Sequence, residues 1–541
     1  MTEAIRHLRV VVVTLLLFGC LPFGMPGLER FQPWVEGDPI PFSGLLDVKW
    51  SFRSSRGGGG IAAPSGGGAE GAGVEEVQDV LGEGLAESLG ELSIPEAPPE
   101  VKNVPSVASP EEGGGESDSD GVPDLEKKTL PVLEKAPENP IQKSEWEAAK
   151  QWIEDEGGEA LSHFHERLAR LVQGEAVQVR IAHYGDSTIA ADDVTRTLRR
   201  NFQLRFGDAG HGYLVPARGK LPYGHKDIKR KEEGDWDITT ITSGGLKRGE
   251  YGYGGMVARG FPGTRFKVGT VKEGPIGTHT SKLLLYTEGS KGRGEFTVQV
   301  DGADKTTFST QGESGILVQE VPVPDGPHQF RVSVRKGRVS FYGVALERDV
   351  PGVIYDSLGL VGAIGKRLMK WGDEHIKRAF ELRTPDLLVL HFGGNESAYS
   401  NMTATRYEKD LRAMVDRMKA SSPESSCLLC SPLDQGERVR GRVRTVPILL
   451  DIVEIQRRVA KEKGCGFWST FDAMGGEGSM GRWRKSKLAS GDLRHATRAG
   501  YQVIGNLAYQ AFLKSFSDYW DRTYREPSGA GEGQGTPELT P

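Results

Sequence analysis

Hydrophobic and polar positions divide the 541-residue chain into stretches of different period. Trp146, Ala149 and Ile153, then Leu161, Phe164, Leu168 and Leu171, recur at helical spacing. Val177, Val179 and Ile181 alternate with Gln178 and Arg180, which predicts a strand running into Tyr184-Gly185-Asp186-Ser187. Val194, Leu198 and Phe202 then recur every four residues, so a helix follows the tight turn. Over 207–350 the helical period disappears. Phe296, Val298 and Val300, Phe330, Val332 and Val334, and Val339 and Phe341 form short alternating runs. Turn signals separate them, as at Asp301-Gly302 and Pro324-Asp325-Gly326. This is the pattern of an all-β sandwich.

After it the α/β alternation resumes. A short strand is predicted at 353–355, a helix over 362–371 and a buried strand over 386–392 (DLLVLHF). Tyr407, Leu411, Met414 and Met418 mark a helix, 426–431 a strand, and Ile448, Ile452, Ile455 and Val459 a helix closed by Gly464. A strand over 466–471 and a helix over 497–512 complete the series. Strands alternating with helices predict an α/β fold with a parallel sheet. The all-β run is an insertion between its first and second βα units. The domain plan is therefore 144–206 and 351–522 for the two parts of the α/β domain and 207–350 for the inserted β-sandwich.

The ends have no such period. Arg6 and Arg9 precede the apolar run 10–20 (VVVVTLLLFGC), which reads as an export signal within residues 1–28. Leu17-Phe18-Gly19-Cys20 is similar to a bacterial lipobox with Cys20 as the lipidated residue; the competing reading is an uncleaved membrane anchor. Both place the remainder outside the cytoplasm, in the periplasm or cell envelope. Residues 54–143 are rich in Gly, Pro and Glu, including 111–120 (EEGGGESDSD), and read as a flexible tether. The tail 526–541 is alike in composition.

Composition narrows the partners. The formal net charge is −6, and no long Lys/Arg block stands out beyond 226–231 (KDIKRK), read as a solvated loop. That argues against nucleic acid, whose phosphates demand a concentrated basic surface. There are four cysteines, Cys20, Cys427, Cys430 and Cys465. Cys427 and Cys430 sit in an apolar strand, where residues three apart face opposite sides, so they read as small buried hydrophobes rather than a redox or zinc pair. No His/Cys/Asp cluster has metal-ligand spacing, so no metal or cofactor is implied.

Four short segments carry candidate chemistry, each after a strand or before a helix, where α/β sheets bind ligands. Gly185-Asp186-Ser187 offers a serine that is either a nucleophile or a helix cap. In 357–363 (SLGLVGA) the backbone N–H of Gly362, or of Gly359, is placed to meet an oxyanion. Gly393-Gly394-Asn395-Glu396 offers the Asn395 amide for the same purpose. Asp492-Leu493-Arg494-His495 brings carboxylate and imidazole together in a turn. Each alone is also an ordinary turn or cap; their order along the chain is the signal. His183 and His391 precede the first and third segments and read as core residues. Residues 251–255 (YGYGG) read as a glycine-rich loop, with a sugar site as the competing reading.

In these four segments the chain resembles the SGNH (GDSL-type) hydrolase family, over about 177–206 and 351–515. The resemblance implies a three-layer α/β sandwich of flavodoxin-like type, with Ser187 as nucleophile, His495 as base and Asp492 as its orienting acid. It implies the N–H groups of Ser187 and Gly362 and the side chain of Asn395 as the oxyanion hole, with Glu396 standing where the family more often has Asp. The stretch 183–216 is also similar to the start of periplasmic peptidoglycan O-acetylesterases, which carry an inserted sandwich resembling a carbohydrate-binding module. The implied activity is removal of O-acetyl groups from a cell-envelope glycan, peptidoglycan first, through an acyl-enzyme. The alternatives are esterase or acetyltransferase chemistry on another acetylated polysaccharide or a lipid ester, and a non-catalytic glycan-binding protein. The expected partners are the acetylated glycan and, through the N-terminal segment or lipidated Cys20, a membrane.

Overall fold

The computed structural model describes residues 138–525 apart from Lys150, Lys220, Gly244, Ser290, Lys291 and Arg293. The export signal or anchor over 1–28, Cys20, the tail 526–541 and all of the 54–143 tether before residue 138 lie outside the described residues. The fold begins a little before the predicted boundary at 143. Asn139 Nδ2 donates to the Ser517 carbonyl at 3.1 Å and to Asp521 Oδ1 at 3.0 Å, and Ile141 is buried beside them.

Five parallel strands form the central sheet in the order Gly352–Gly359, Gln178–Gly185, Leu387–His391, Ser426–Cys430, Gly466–Trp468. In chain order this is 2-1-3-4-5, the flavodoxin-like arrangement, whose ligand crevice lies where the first and third strands part. The register brings three strand ends level, because Gly185 pairs with both Gly359 and His391.

Both faces of each strand are buried, which explains why the strands read as unbroken apolar runs. Val179, Ile181, Val389 and Leu428 meet Phe164, Leu198, Phe202 and Phe512 from helices Ser162–Val172, Asp193–Phe206 and Arg498–Tyr524. Tyr184, Leu388, Leu390 and Leu429 meet Phe380, Leu411, Met414 and Ile452 from helices Asp373–Arg383, Ala404–Ser421 and Pro447–Glu462. Helices on both faces of a parallel sheet give the three layers expected.

Between the first strand and Gly352–Gly359 the chain forms two antiparallel sheets of six and five strands. Leu283, Leu285, Phe341 and Val344 of one pack on Phe266, Phe296, Phe330 and Val332 of the other. The six-stranded sheet is fastened to the α/β core by buried charge. Arg383 grips Asp356 at 2.7 Å and Glu347 at 2.5 Å, and Arg180 holds Glu347 at 2.8 Å. Glu347 ends the last antiparallel strand and Asp356 lies in the parallel sheet. Two cations facing two anions remove the cost that any one of them would carry alone in the interior.

Several expectations need correction. Strand Gly352–Gly359 is longer than 353–355 because Asp356 and Ser357 break its apolar pattern while being fully buried. The helix expected over 362–371 is a 3-10 helix, Gly365–Lys370, since Gly362 at φ +73° turns the chain away first. The last strand stops at Trp468, where Ser469 caps a new helical turn by accepting from Asp472 N. The final helix runs on to Tyr524, its apolar face continued by Leu513, Phe516 and Trp520.

Cys427 is not an isolated small hydrophobe: it forms a disulfide with Cys465, and only Cys430 is a free buried thiol among the described residues. Residues 226–231 are not a solvated loop throughout. Lys226 N donates to buried Asp192 at 2.7 Å, Asp227 accepts from Arg196 and Arg200, and Lys229–Glu233 is a strand. The 251–255 loop buries Tyr251 and Tyr253 in the core between sandwich and α/β layers. A Cβ on Gly252 would lie 2.3 Å from the Tyr342 carbonyl, so glycine there serves close backbone packing and not a sugar site.

Candidate active site

Gly185 ends the first strand, and Asp186 caps the short helix Ser187–Ala190 by accepting from Thr188 N at 2.9 Å. A Cβ at Gly185 would sit 2.4 Å from the Ile189 side chain and 2.9 Å from the His391 carbonyl. Only glycine lets the chain turn this sharply against the third strand. Ser187, the first helical residue, is thereby held at the strand end with its hydroxyl facing the last segment of the chain.

That segment arrives as a strained turn. Leu493 has φ +61°, although it is neither Gly nor Asn, and its side chain is buried. A bulky residue in the left-handed region costs roughly 1–3 kcal/mol and is found where the surroundings enforce it. The surroundings here are hydrogen bonds to Asp492 Oδ1, which accepts from Arg494 N at 3.0 Å, His495 N at 3.1 Å and Ser490 Oγ. They leave Asp492 Oδ2 free to meet His495 Nδ1 at 2.6 Å. His495 Nε2 then lies 2.9 Å from Ser187 Oγ.

The charges follow the geometry. The hydrogen bonds to Asp492 hold its carboxyl well below the usual range against the opposing effect of partial burial. The Asp492 hydrogen bond in turn raises the imidazole of His495 above its ordinary 6.5. An Nδ1–H donated to carboxylate leaves Nε2 as the basic atom facing Ser187.

Asn395 follows the third strand. Its Nδ2 donates to the Ala363 carbonyl at 2.8 Å, which fixes the amide orientation, and makes only a long 3.4 Å contact with Asp186 Oδ2. One amide proton is thus firmly held and the other only loosely, and Asn395 lines the cavity at Ser187. Gly362 precedes Ala363 on an exposed turn closed by Ala363 N to the Leu360 carbonyl at 3.0 Å. Among the described residues, the N–H groups of Ser187 and Gly362 have no hydrogen-bond acceptor. Gly359 differs. It is the last residue of its strand, and a Cβ there would lie 2.1 Å from Ala190 N, so its role is close strand-to-helix packing.

The structure therefore brings together Ser187, Asp492, His495 and Asn395, with Gly362 on the adjoining turn. A cavity of about 30 Å³ lies against Ser187, Asn395 and His495, and Gln435 and Arg494 also line it. Sequence reasoning missed Gln435, whose Nε2 donates to the Gly394 carbonyl at 2.8 Å and whose Oε1 accepts from Ser397 at 2.7 Å. No local pattern marks it.

Glu396, standing where the family more often has Asp, ties two segments together. Its Oε1 accepts from Gly365 N at 2.8 Å and its Oε2 from Gly393 N at 3.1 Å. Burial pushes its carboxyl up to about 7. His183 and His391 form a stacked pair, centroids 5.6 Å apart, of which His391 lines the cavity. Burial lowers both, His391 to about 4, so both are neutral rings of the core, as expected. Among the described residues, no group of three or more His, Cys, Asp or Glu is placed to hold a metal ion.

Residues 333–503 match the GDSL-like Lipase/Acylhydrolase family. The match takes in the segments of Gly362, Asn395, Asp492 and His495 but not Ser187, which the inserted sheets separate from it. No curated protein matches the chain. Among solved structures, a peptidoglycan O-acetylesterase superposes with a TM-score of 0.59 at 22% identity, over 68% of this chain and 99% of that one. This shows a shared fold. A family two carbohydrate esterase from Cellvibrio japonicus (TM-score 0.23, 10% identity, 53% of this chain and 99% of that one) is too distant to bear on the fold. So is an acetyl xylan esterase (TM-score 0.24, 18% identity, 29% of this chain and 80% of that one).

Proposed function

We propose that this protein is a GDSL-type serine esterase that removes O-acetyl groups from a cell-envelope glycan, peptidoglycan in the first place. The observation that carries the reading is the continuous hydrogen-bond chain from Asp492 through His495 to Ser187, with Asn395 beside it.

In this mechanism Ser187 Oγ attacks the ester carbonyl while His495 Nε2 takes its proton. Asp492 holds the ring in the required tautomer and stabilises the imidazolium. The carbonyl oxygen, now negative, is met by the N–H of Ser187, the N–H of Gly362 and Nδ2 of Asn395. Collapse of the tetrahedral intermediate breaks the ester C–O bond, and His495 returns the proton to the departing sugar hydroxyl. A water molecule deprotonated by His495 then attacks the acyl-Ser187, releasing the acid and restoring the serine.

Three things favour a small acyl group on a glycan. The cavity beside Ser187 is small, about 30 Å³, and lined by Asn395, Gln435, Arg494 and His495, which favours a short acyl group on a polar substrate. The apolar run at 10–20 and the Gly- and Glu-rich stretch after it suit an exported protein tethered at the envelope. The fold is similar to that of a peptidoglycan O-acetylesterase. The test is acetate release by the purified protein from O-acetylated peptidoglycan and from acetylated xylan. Preference for peptidoglycan supports the reading; preference for xylan, or for a long-chain lipid ester, overturns its substrate.

A further inference from the structure

Residues 436–445 (GERVRGRVRT) form a two-stranded hairpin, Gly436–Val439 paired with Arg442–Thr445. Four arginines stand against one glutamate in these ten residues, inside a chain of formal net charge −6. The alternating spacing hides the cluster in the sequence, because no two basic residues are adjacent. The hairpin gathers three of them: Arg442 and Arg444 share one face, Arg440 stands at the turn, and Arg438 pairs with Val443 on the other face. Arg440 and Gly441 both have positive φ, as a two-residue type I′ turn requires, so the strands fold back directly. Arg438, Arg440, Arg442 and Arg444 are all exposed, and none is in an ion pair with a described carboxylate. Glu437 lies opposite Arg444 in the register, yet the two make no ion pair. Val443 anchors the other face against helix Ser479–Lys485: a Cβ on Gly481 would touch it at 3.2 Å.

The hairpin is rooted in the active site. The residue before it, Gln435, lines the cavity at Ser187. Gly436 N donates to the Leu493 carbonyl at 2.8 Å, between Asp492 and His495, and Val446 N closes the base on the Gln435 carbonyl at 2.9 Å. Arg494, also exposed and without an ion-pair partner among the described residues, lines the cavity itself. The uncompensated arginines thus extend from the hairpin to the reacting serine.

We propose that the 436–445 hairpin and Arg494 hold an anionic glycan strand, through its carboxylates, across the mouth of the active site. Guanidinium forks match carboxylates in paired hydrogen bonds, and a one-signed surface raises the local concentration of an oppositely charged polymer. The placement favours the substrate polymer over a membrane surface, because the cations continue into a cavity that a bilayer cannot enter. The inference rests on the proposed reading of the substrate as an envelope glycan such as peptidoglycan, whose peptide side chains carry free carboxylates.

The experiment uses the full chain. The triple variant Arg440→Gln, Arg442→Gln, Arg444→Gln is compared with the corresponding triple Lys variant and the wild type. The first readout is kcat/KM on O-acetylated peptidoglycan divided by kcat/KM on p-nitrophenyl acetate. The second is co-sedimentation of Ser187→Ala protein, with and without the Gln changes, with native sacculi, carboxyl-amidated sacculi and anionic vesicles, at low and high salt. The expected results are a ratio lowered about tenfold or more in the Gln variant through KM, partial rescue by Lys, and sedimentation lost with amidation or salt. Equal ratios in all three proteins, salt-independent sedimentation, or arginine-dependent binding to vesicles but not sacculi would overturn the inference. If the Gln variant does not fold, the salt and amidation arms on otherwise unchanged Ser187→Ala protein decide alone. Arginine-dependent binding to sacculi without acetate release by wild type would sink the proposed substrate reaction and leave the hairpin inference standing.

Discussion

His495 Nε2 lies 2.9 Å from Ser187 Oγ, although 308 positions separate the two residues in the chain. Two antiparallel sheets fill much of that interval, and the contact survives them because the sandwich leaves and rejoins the parallel sheet through neighbouring strands. Gln178 pairs with Gly352, and the register runs unbroken to Gly185 and Gly359 at the catalytic end.

The Asp492 hydrogen bond raises His495 above 6.5, and the ring must be neutral to accept the serine proton. Activity on p-nitrophenyl acetate should therefore rise with pH along a limb centred above 6.5. Asp492→Asn removes the cause of the shift. The limb should move to lower pH and kcat should fall roughly 10²-fold or more, as read from pH–rate profiles of both proteins.

Asn395→Ala deletes one proposed oxyanion donor and leaves the Ala363 carbonyl without its partner. Loss of such a donor costs about 3–4 kcal/mol in the barrier, so kcat should drop about 10²–10³-fold with little change in KM. A loss of kcat/KM that comes only from a raised KM would place Asn395 in ground-state binding instead.

Glu396 couples to stability through its pH dependence. Its folded-state value of about 7 exceeds the ordinary 4.5 because burial disfavours the charge. A raised value means that its contribution is full below 4.5 and is lost as pH climbs through about 7. Glu396→Gln carries no such proton. The Tm advantage of wild type over this variant should shrink from pH 4.5 to pH 8 in thermal melts. Glu396→Ala leaves the buried N–H groups of Gly365 and Gly393 unpaired, at roughly 1–3 kcal/mol each.

The Cys427–Cys465 disulfide closes a loop with a sequence separation of 38, for which chain entropy gives about 4 kcal/mol. Cys427→Ala with Cys465→Ala should lower unfolding stability by about 2–4 kcal/mol in denaturant titration, while activity at low temperature persists because neither sulfur approaches Ser187.

The sheet and the site were legible because strand ends and apolar periods are local signals. Gly185-Asp186-Ser187, Asn395 and the Asp492/His495 pair each stand at a junction that the periodicity located. What stayed hidden depends on partners far along the chain. Asp356 looked wrong for a strand interior until Arg383 met it. Cys427 gave no sign of Cys465, and Glu396 none of Gly365, 31 positions before it. The hairpin arginines were missed for a different reason: strand pairing, not sequence adjacency, concentrates their charge.

The account stands most directly on whether Ser187 carries the acyl group. Wild-type protein mixed with p-nitrophenyl acetate and quenched at once should gain the mass of one acetyl group on the peptide bearing Ser187, with a burst of nitrophenolate. Ser187→Ala should show neither adduct nor turnover above the uncatalysed rate. An acetyl group on another residue, or undiminished hydrolysis by Ser187→Ala, would contradict it.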